Sequence, residues 1–585
     1  MQWHDWNSAA FERARERDCP VVLFLRAAWC RWCREMETHA LADERVLSVL
    51  TERFVCIQVD KDRRPDIDTR YRKGGWPTLS FLDADGEVLA AENFLEPDEL
   101  LRRLELIAER YPDRRDEIRA DLFADAEAGV APAAQPASPA RRKRHSKLSM
   151  DLVDDVLATL METADPVNGG WGTRHKFPHP EALHFATVRW SQTGDPETLG
   201  LVLRTLRRMQ QGEIYDEVEG GFYRYATQAD WSVPHHEKML DSNAQRLLAY
   251  VEAYQALGEE SFEQTARGIL GWMHATLLDP ETQCFKGSQD ADPEYAHLKT
   301  MEQRRAYGAP ECNPTIFTNW NAIAVCSLLK SGIVLGEDRY LDQALATLDF
   351  LMENLWDERD GMYHYWDGTY NLPGMLTDQA YTLQALVQAM HYTGENRYLA
   401  PAVRLGQIAT EQLRAEDGSF YDKRHDPAAR GDLRVRNRSI LENAVMAEAL
   451  LRLSHMTRDP SFAETGRRAL EAFVEDFRRY GHFVAGYGRA VDLVFHEPVH
   501  VTIVGARGVD RTRALRQAAL RPYVASRIVQ TIDPETDALL FERTGLPHPE
   551  EDSARAYIDR GRESYAETSK PERLAALMTR AERSN

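Results

Sequence analysis

The feature that most constrains the fold of this chain is a long internal repeat. From about residue 148 onward, amphipathic helical patterns alternate with short loops that contain glycine and an aromatic residue. An acidic or amide residue followed by alanine marks the start of successive helical patterns. These pairs are Glu181-Ala182, Asn243-Ala244, Asn321-Ala322, Gln379-Ala380 and Asn443-Ala444. The loop aromatics advance in step with the pairs, and they are Trp171, Phe222, Phe285, Tyr363, Phe420 and Phe483.

The spacing of these markers predicts the architecture. A repeat of roughly 60 residues holds two helices, and it is longer than the common helical solenoid units of about 34 to 47 residues. Six such hairpins can close into an (α/α)6 toroid, with the alanine-bearing helices inside and the aromatic loops at one end. Five inner helices are clear, so we expect the sixth from the C-terminal region. Outer helices are predicted at 197–211, 260–277, 338–355, 396–414 and 460–479.

The first 125 residues follow a different pattern, typical of a thioredoxin-like α/β domain. Short apolar runs rich in β-branched and aromatic residues predict strands, and Asp85-Gly86 predicts a hairpin turn. The predicted order is helix 6–17, strand 20–25, a Cys-x-x-Cys motif, helix 31–51, strand 54–60, hairpin strands 78–83 and 87–91, and helix 97–110. The chain is therefore expected to be multidomain, with an all-α toroid after an α/β domain.

Composition indicates the boundary between the two domains. The segment 126–147 is rich in alanine and proline and contains a basic run at 141–144, which is typical of an exposed linker. We therefore expect a thioredoxin-like domain at 1–125 and a toroid at 148–585. The toroid range includes a β-α-β pattern at 499–505, 510–522 and 527–532.

The charge and the apolar pattern argue against nucleic acid and membrane partners. The formal net charge is −21, and acidic residues are spread along the chain. No apolar run approaches the roughly 20 residues of a membrane helix, and the first residues lack a signal-peptide core. The sequence therefore predicts a cytoplasmic protein with no nucleic-acid or membrane partner. No cofactor is predicted, because no phosphate-binding glycine motif and no second cysteine pair for a metal are present.

Cys30 and Cys33 are the most specific local motif. A cysteine at the start of a helix gains thiolate stability, so Cys30 is predicted to attack a disulfide and Cys33 to resolve the mixed disulfide. Trp76-Pro77 supplies the X-Pro bond that thioredoxin-like folds usually hold in cis beside the dithiol. Two alternatives stay open. One is a thioredoxin-like binding domain whose dithiol has no redox role, and the other is a metal site for which only His39 is a nearby ligand.

A second candidate site is predicted at the mouth of the toroid. The densest ionisable cluster is His235, His236, Glu237, Lys238 and Asp241, in which histidine and carboxylate groups could act as acid and base. Equivalent helix starts supply further binding candidates, which are Asp290, Asp292, Asn319, Trp320, Asp378, Gln379, Glu442 and Asn443. Helix capping and hairpin closure explain the same residues without any ligand.

Four segments together resemble one known family. AWCRWCREME, VDKDRRPDID, GGWPTLSFLDADG and GGFYRYATQADWSVPHHEKML are similar to motifs of the spermatogenesis-associated protein 20 family. The resemblance spans roughly residues 1–530 and implies a thioredoxin-like domain fused to a six-hairpin glycosidase-like toroid. The family motif generally reads WCHWCH, whereas Arg31 and Arg34 stand at the histidine positions here. Likewise His236 replaces the family's phenylalanine, and Gln289 replaces its glutamate.

Three functional hypotheses remain open at this point. The first is a thiol-disulfide redox protein whose toroid binds a small polar or sugar-like ligand, with a thiol or disulfide partner at the dithiol. The second is a sugar epimerase, isomerase or glycoside hydrolase that acts in the toroid through His235, His236, Glu237 and Asp241. The third is a non-catalytic binding scaffold. Fold alone does not decide among these chemistries.

Overall fold

A computed structural model describes residues 2–111, 145–550, 553–560 and 563–583. Most of the predicted linker, including its basic run at 141–144, lies outside these residues. The chain folds into a thioredoxin-like α/β domain, a helical toroid and a small C-terminal α/β subdomain.

The N-terminal domain has a five-stranded sheet in the order β1-β3-β2-β4-β5, flanked by helices. Strand β3 runs parallel to β1 and β2, and β4 runs antiparallel to β2 and β5. Its elements are β1 Trp3–His4, α1 Ser8–Glu16, β2 Val21–Arg26, α2 Arg31–Thr38, α3 Glu44–Arg53, β3 Val55–Asp60, α4 Pro65–Tyr71, β4 Thr78–Leu82, β5 Val88–Glu92 and α5 97–111. Strand β1 and helix α4 were not predicted from the sequence.

The helix predicted over 31–51 is two helices, so that boundary was wrong. The first helix, α2, ends at Thr38, and a new one, α3, begins at Glu44. Asp43 lies before α3, and its carboxylate accepts hydrogen bonds from the backbone N–H groups of Arg45 and Val46. An aspartate in this position starts a helix because it satisfies N–H groups that have no partner within the helix.

Six inner helices form the closed ring of the toroid. Each packs against the next, and the last, α19, packs against the first, α7. The inner helices are α7 Pro180–Thr193, α9 Leu240–Leu257, α13 Thr318–Leu335, α15 Leu376–Thr393, α17 Ile440–Thr457 and α19 Ala485–Phe495. The sixth inner helix therefore comes from the C-terminal region, as expected, and it follows a 3-10 segment at Phe477–Val484.

An outer layer of helices surrounds the ring. All but the first of them pack on the inner helix that precedes them in the sequence. The outer helices are α6 Met150–Thr163, α8 Pro196–Gln211, α10 Glu260–Trp272, α14 Asp338–Asn354, α16 Leu399–Leu413 and α18 Pro460–Glu471. The closure joins α6, the first helix of the toroid, to α19, the last inner helix. Between α10 and α13 lie the short helices α11 Pro293–His297 and α12 Met301–Tyr307.

The loops at the amino ends of the inner helices carry short strands. These are β6 Tyr225–Ala226, β7 Pro234–His235, β8 Lys238–Met239, β9 Ser288–Gln289, β10 Cys312–Asn313, β11 Ile316–Phe317, β12 Trp356–Asp357, β13 Gly361–Trp366 and β14 Tyr370–Pro373. They place the loop aromatics and the predicted mouth residues at one end of the ring.

The repeated amide of the sequence pattern has a structural explanation. Asn443 accepts a hydrogen bond from the backbone N–H of Phe420 and donates to the carbonyl groups of Phe420 and Ser439. Asn243 and Asn321 hold Phe222 and Phe285 in the same way. Each buried amide therefore pins a loop to the first turn of an inner helix, which satisfies backbone groups that water cannot reach.

The C-terminal subdomain covers the other end of the ring. The predicted β-α-β unit is confirmed, with β15 Val499–Val504, α20 Asp510–Leu520 and β16 Arg527–Ile532, the two strands being parallel. Four further elements were not predicted from the sequence, namely α21 Ala538–Thr544, β17 Arg555–Arg560, β18 Glu563–Thr568 and α22 Pro571–Arg583. Strand β16 packs against α15 and α17 of the ring.

The thioredoxin-like domain docks on the mouth of the toroid through ion pairs and hydrogen bonds. Arg70, almost fully buried, donates to the Asp422 carboxylate at 2.9 Å and to the Val435 carbonyl. The Tyr71 hydroxyl accepts from the backbone N–H of Asp432 and donates to the Gly86 carbonyl. Side chains and backbone groups of the toroid therefore lie directly against the domain that carries the dithiol.

Candidate functional site

The two thiols of the dithiol differ in their surroundings. Cys30 is the residue before α2, and its sulfur accepts a hydrogen bond from the backbone N–H of Cys33 at 3.2 Å. The hydrogen bond from the Cys33 side chain lowers the pKa of Cys30, against the opposing effect of burial. Burial raises the pKa of Cys33, which has no exposed surface. Cys30 is thus the thiol that ionises more readily.

The loop opposite the dithiol has the expected geometry. The Trp76-Pro77 bond is cis, and the Trp76 carbonyl lies 3.8 Å from the Cys30 sulfur. Pro77 is buried, and the Trp76 indole N–H donates to Asp68 at 2.7 Å. Trp32, between the two cysteines, has 53% of its surface exposed, whereas Cys30 has 7%.

Toroid side chains cover the face of the dithiol domain beside Cys30. The Arg224 guanidinium lies over the rings of Trp29 and Trp76, 4.4 and 5.4 Å from their centres. The same guanidinium donates to Glu237 at 3.1 Å. The negative charge of Glu237 in turn raises the pKa of Cys30, although less than the hydrogen bonds lower it. A toroid ion pair therefore lies within electrostatic reach of the nucleophile.

The predicted cluster at 235–238 divides between two environments. His235 stacks on Tyr225 and lies 3.9 Å from Glu237, on the side of the dithiol. Lys238 instead donates to Asp216 at 2.6 Å in a buried network with Arg304 and Glu219. His236 lies on that second side too, where burial lowers its pKa to about 4. The four residues 235–238 therefore do not form one site, because neighbouring side chains in an extended segment point to opposite faces.

Asp290 and Asp292 have separate roles in this structure. Asp290 forms an ion pair with Arg34, the arginine that stands where the family has histidine. Asp292 accepts from the backbone N–H of Tyr295 and so caps α11. Arg34 therefore contributes to docking of the two domains.

Two carboxyl groups at the mouth have oxygens without hydrogen-bond partners among the described residues. These atoms are Oδ1 of Asp241 and Oε2 of Glu442, and both are buried. Burial raises the pKa of Asp241, and burial followed by repulsion from Asp422 and Asp378 raises the pKa of Glu442 to about 8. Glu442 is therefore mostly protonated near neutral pH, as a general acid must be.

The remaining predicted residues are engaged by protein groups. Asp378 lies 2.9 Å from Nδ1 of His364, whose Nε2 lies 2.7 Å from the Asp62 carbonyl of the dithiol domain. Gln379 and Asn443 bond to backbone groups of their hairpins. The Asn319 amide donates to Thr377, and Trp320 packs on Phe317. A ligand-binding role for these residues stays a prediction.

A cavity of about 90 Å³ lies on the axis of the ring and was missed by the sequence analysis. Inner-helix residues line its sides, and the segment 523–528 of the C-terminal subdomain closes one end. Charged pairs lie within it, including Arg489 with Glu448 at 2.9 Å and Lys330 with Glu252 at 2.5 Å. Only the polar residues at helical spacing along α15, such as Gln384 and Gln388, could have indicated it.

Neither a metal-binding cluster nor a membrane-spanning helix is present within the described ranges. No group of three or more histidine, cysteine, aspartate or glutamate residues there has the geometry to hold a metal ion. No helix in the same ranges is both long and apolar enough to cross a bilayer.

Comparison with known proteins relates the whole chain to one group. Residues 1–124 match the Thioredox_DsbH family model, described as a protein of unknown function, DUF255. Human spermatogenesis-associated protein 20 is 24% identical, in an alignment that covers 95% of this chain and 87% of the human protein. This chain is therefore similar to spermatogenesis-associated protein 20 along nearly all of its length. The resemblance seen in the sequence is thereby confirmed over both domains.

Two more comparisons concern the separate domains. Disulfide bond reductase DsbH of Chlamydia pneumoniae is 26% identical over 106 residues, which are 16% of this chain and 63% of that protein. A sugar epimerase from a ruminal bacterium has a TM-score of 0.48 and 13% identity, covering 59% of this chain and 98% of the epimerase. That structural likeness concerns the fold.

Proposed function

We propose that this protein is a thiol-disulfide oxidoreductase in which Cys30 is the nucleophile and Cys33 the resolving thiol. The observation that carries the proposal is the opposite shift of the two pKa values, lowered at Cys30 and raised at Cys33. A thiolate is the reactive form, and a buried thiol with a raised pKa stays protonated until the mixed disulfide forms. The reductase name of the Chlamydia relative is consistent with this chemistry.

The reaction transfers two electrons to the substrate. The Cys30 thiolate attacks one sulfur of a substrate disulfide, the substrate S–S bond breaks, and the departing thiolate takes up a proton. Cys33 then loses its proton to solvent, and its sulfur attacks the Cys30 sulfur. The second substrate thiolate leaves and is protonated, while a Cys30–Cys33 disulfide forms. A dithiol reductant returns this disulfide to the two thiols.

The docked toroid restricts which substrates reach Cys30. Trp29 and Trp76 flank the nucleophile, and Arg224 covers both rings. A partner can approach the dithiol from the side on which Trp32 is exposed. We therefore expect small or extended disulfides to react faster than a disulfide on a flat protein surface.

The experiment is disulfide reduction by the full chain with dithiothreitol as reductant, using oxidised glutathione and insulin as probes. We expect turnover in the wild type, none in Cys30→Ser, and a trapped mixed disulfide in Cys33→Ser. Cys56→Ser is the matched control, because Cys56 is a buried thiol elsewhere in the same domain. Turnover that survives in Cys30→Ser contradicts the proposal.

A further inference from the structure

The side chain of Arg31 carries an unpaired positive charge beside the nucleophile. Arg31 follows Cys30 directly, is exposed, and makes no hydrogen bond or ion pair with another described residue. The acidic residue four positions further along α2 is Glu35, and its carboxylate lies 3.4 Å from His39 instead. The Arg31 guanidinium is therefore available to a group that approaches Cys30 from solvent.

A second arginine, Arg72, lies at the loop opposite the dithiol. Its guanidinium carbon is 4.8 Å from the centre of the Trp76 ring, and the Trp76 carbonyl is 3.8 Å from the Cys30 sulfur. Arg72 is paired with Asp68 at 3.9 Å, but the Asp68 carboxylate also accepts from the Trp76 indole N–H at 2.7 Å. A partly exposed ion pair at such a distance is weak, so Arg72 can bind a second anion.

Four ion pairs beside the dithiol expose their cations and bury their carboxylates. The side chains of Arg72 and Arg224 are 37% and 25% exposed, whereas those of their partners Asp68 and Glu237 are 9% and 5% exposed. The other two pairs show the same asymmetry, and they are Lys61 with Asp62 and Arg34 with Asp290. A molecule that approaches from solvent therefore meets cationic groups here, although the whole chain has a formal net charge of −21.

We propose that the substrates of the dithiol are small disulfides with carboxylate groups close to the S–S bond, and that Arg31 and Arg72 bind those carboxylates. A guanidinium suits this group because it offers parallel N–H donors to the two carboxylate oxygens. Cys30 is only 7% exposed, so a substrate must be slender near its sulfur atoms. The inference rests on the proposed function, because it names the substrate class of the same site.

The test is a single turnover of the fully reduced full chain with three disulfides of similar size. They are the anionic 3,3′-dithiodipropionate, the neutral bis(2-hydroxyethyl) disulfide and the cationic cystamine. Each reaction oxidises Cys30 and Cys33 to one disulfide and reduces the probe to two thiols, by the same two exchange steps. Acid quenching and mass spectrometry follow the Cys30–Cys33 disulfide, and each rate is divided by the rate of dithiothreitol with the same probe.

We expect the normalised rate to be at least tenfold higher for dithiodipropionate than for the neutral probe, and lowest for cystamine. Equal normalised rates for the three probes, or a fastest reaction with cystamine, overturn the inference and leave the proposed function in place. No reaction of the wild type with any of the probes overturns both.

Two variants locate the charge selection at the arginines. Arg31→Ser and Arg72→Ser should each lower the ratio of the dithiodipropionate rate to the neutral-probe rate at least threefold. Both rates depend on the same Cys30 thiolate, so the ratio cancels any change in its ionisation. Arg13→Ser is the matched control, because Arg13 is exposed on α1, which packs on the opposite face of the sheet from α2. An unchanged ratio in both Arg31→Ser and Arg72→Ser overturns the assignment.

Discussion

The guanidinium carbon of Arg224 lies 4.4 Å from the centre of the Trp29 ring, so a toroid residue stacks on the residue that precedes the nucleophilic cysteine. A cation over an indole contributes roughly 0.5–2 kcal/mol. The same arginine neutralises Glu237, whose charge opposes ionisation of Cys30. The toroid is therefore in a position to tune the dithiol.

Removing the Cys33 thiol should raise the pKa of Cys30. The hydrogen bond from Cys33 is the largest cause of the lowered pKa of Cys30, and alanine cannot supply it. In Cys33→Ala the rate of iodoacetamide alkylation at Cys30, followed by mass spectrometry, should rise at a higher pH than in the wild type. Cys56→Ala should leave that profile unchanged. An unshifted midpoint in Cys33→Ala would show that the hydrogen bond does not control Cys30.

Changes at Glu237 and Arg224 should move the pKa of Cys30 in opposite directions. Glu237→Gln removes a negative charge and should lower it, whereas Arg224→Ala leaves that charge unpaired and should raise it. The alkylation profile measures both shifts. Glu411→Gln, on an exposed outer helix, is the control. Shifts of the same sign in the two variants would exclude this electrostatic coupling.

His364 should make domain docking dependent on pH. Its protonated ring can donate both to Asp378 and to the Asp62 carbonyl, and its pKa is raised, because the attraction of Asp378 outweighs the opposing effect of burial. A raised folded-state pKa gives stability that is complete below about pH 6.5 and is lost as pH rises through that pKa. His364→Asn should therefore lose roughly 1–3 kcal/mol at acidic pH and less at alkaline pH.

The measurement is the Tm of wild type and variant across this pH range. His548→Asn, at an exposed position, should show no such dependence. A Tm difference for His364→Asn that is constant with pH would mean that the ring acts only by packing.

Gly431 should be essential for close docking. A side chain at Gly431 would overlap the Gly86 carbonyl and the Tyr71 hydroxyl of the dithiol domain, and its φ is +52°. Gly431→Ala should separate the domains and speed alkylation of Cys30 by a bulky maleimide. Gly368→Ala is the matched control, because its φ is also positive but nothing lies within 4 Å. Equal rates in the two variants would contradict tight docking at this point.

Loss of one inner-helix amide should destabilise the toroid strongly. Asn443→Ala removes three hydrogen bonds and leaves the N–H and carbonyl groups of Phe420 without this partner, while the Ser439 carbonyl keeps its bond from the backbone N–H of residue 443. We expect a cost of about 3 kcal/mol. Asn354→Ala loses a single bond to the Phe350 carbonyl and should cost much less. Urea unfolding measures both. Similar losses in the two variants would show that the amide is not a fixed part of the hairpin.

Local patterns predicted the fold because the residues of each pattern lie within one segment of the chain. The dithiol, Trp76-Pro77 and the repeated amides lie at fixed spacings, so helices, strands and the ring follow from them. One marker was displaced, since Gln379 holds Met362 and not the neighbouring Tyr363. That hairpin continues as a strand, and periodicity does not fix the register of a strand to one residue.

The site was harder to predict because it depends on contacts between distant segments. Nothing in the local sequence pairs Asp62 with His364 or Arg34 with Asp290. His236 and Lys238 were grouped with His235 and Glu237 by proximity in sequence, although the chain turns them to opposite faces. Gln384 lies on a helix that is buried on nearly all sides, so the helical spacing of Gln384 and Gln388 was the one local sign of the axial cavity.

The closure of the ring by α6 and α19 has a consequence for biosynthesis. These two helices stand at opposite ends of the toroid sequence, so the ring cannot close while the ribosome is still making the inner helices between them. The dithiol domain emerges first and folds as its own unit, as N-terminal domains generally do. The toroid surface on which this domain docks includes residues of the hairpin loops before α17, so that surface is complete only later. During translation Cys30 therefore passes through a stage in which no toroid side chain shields it.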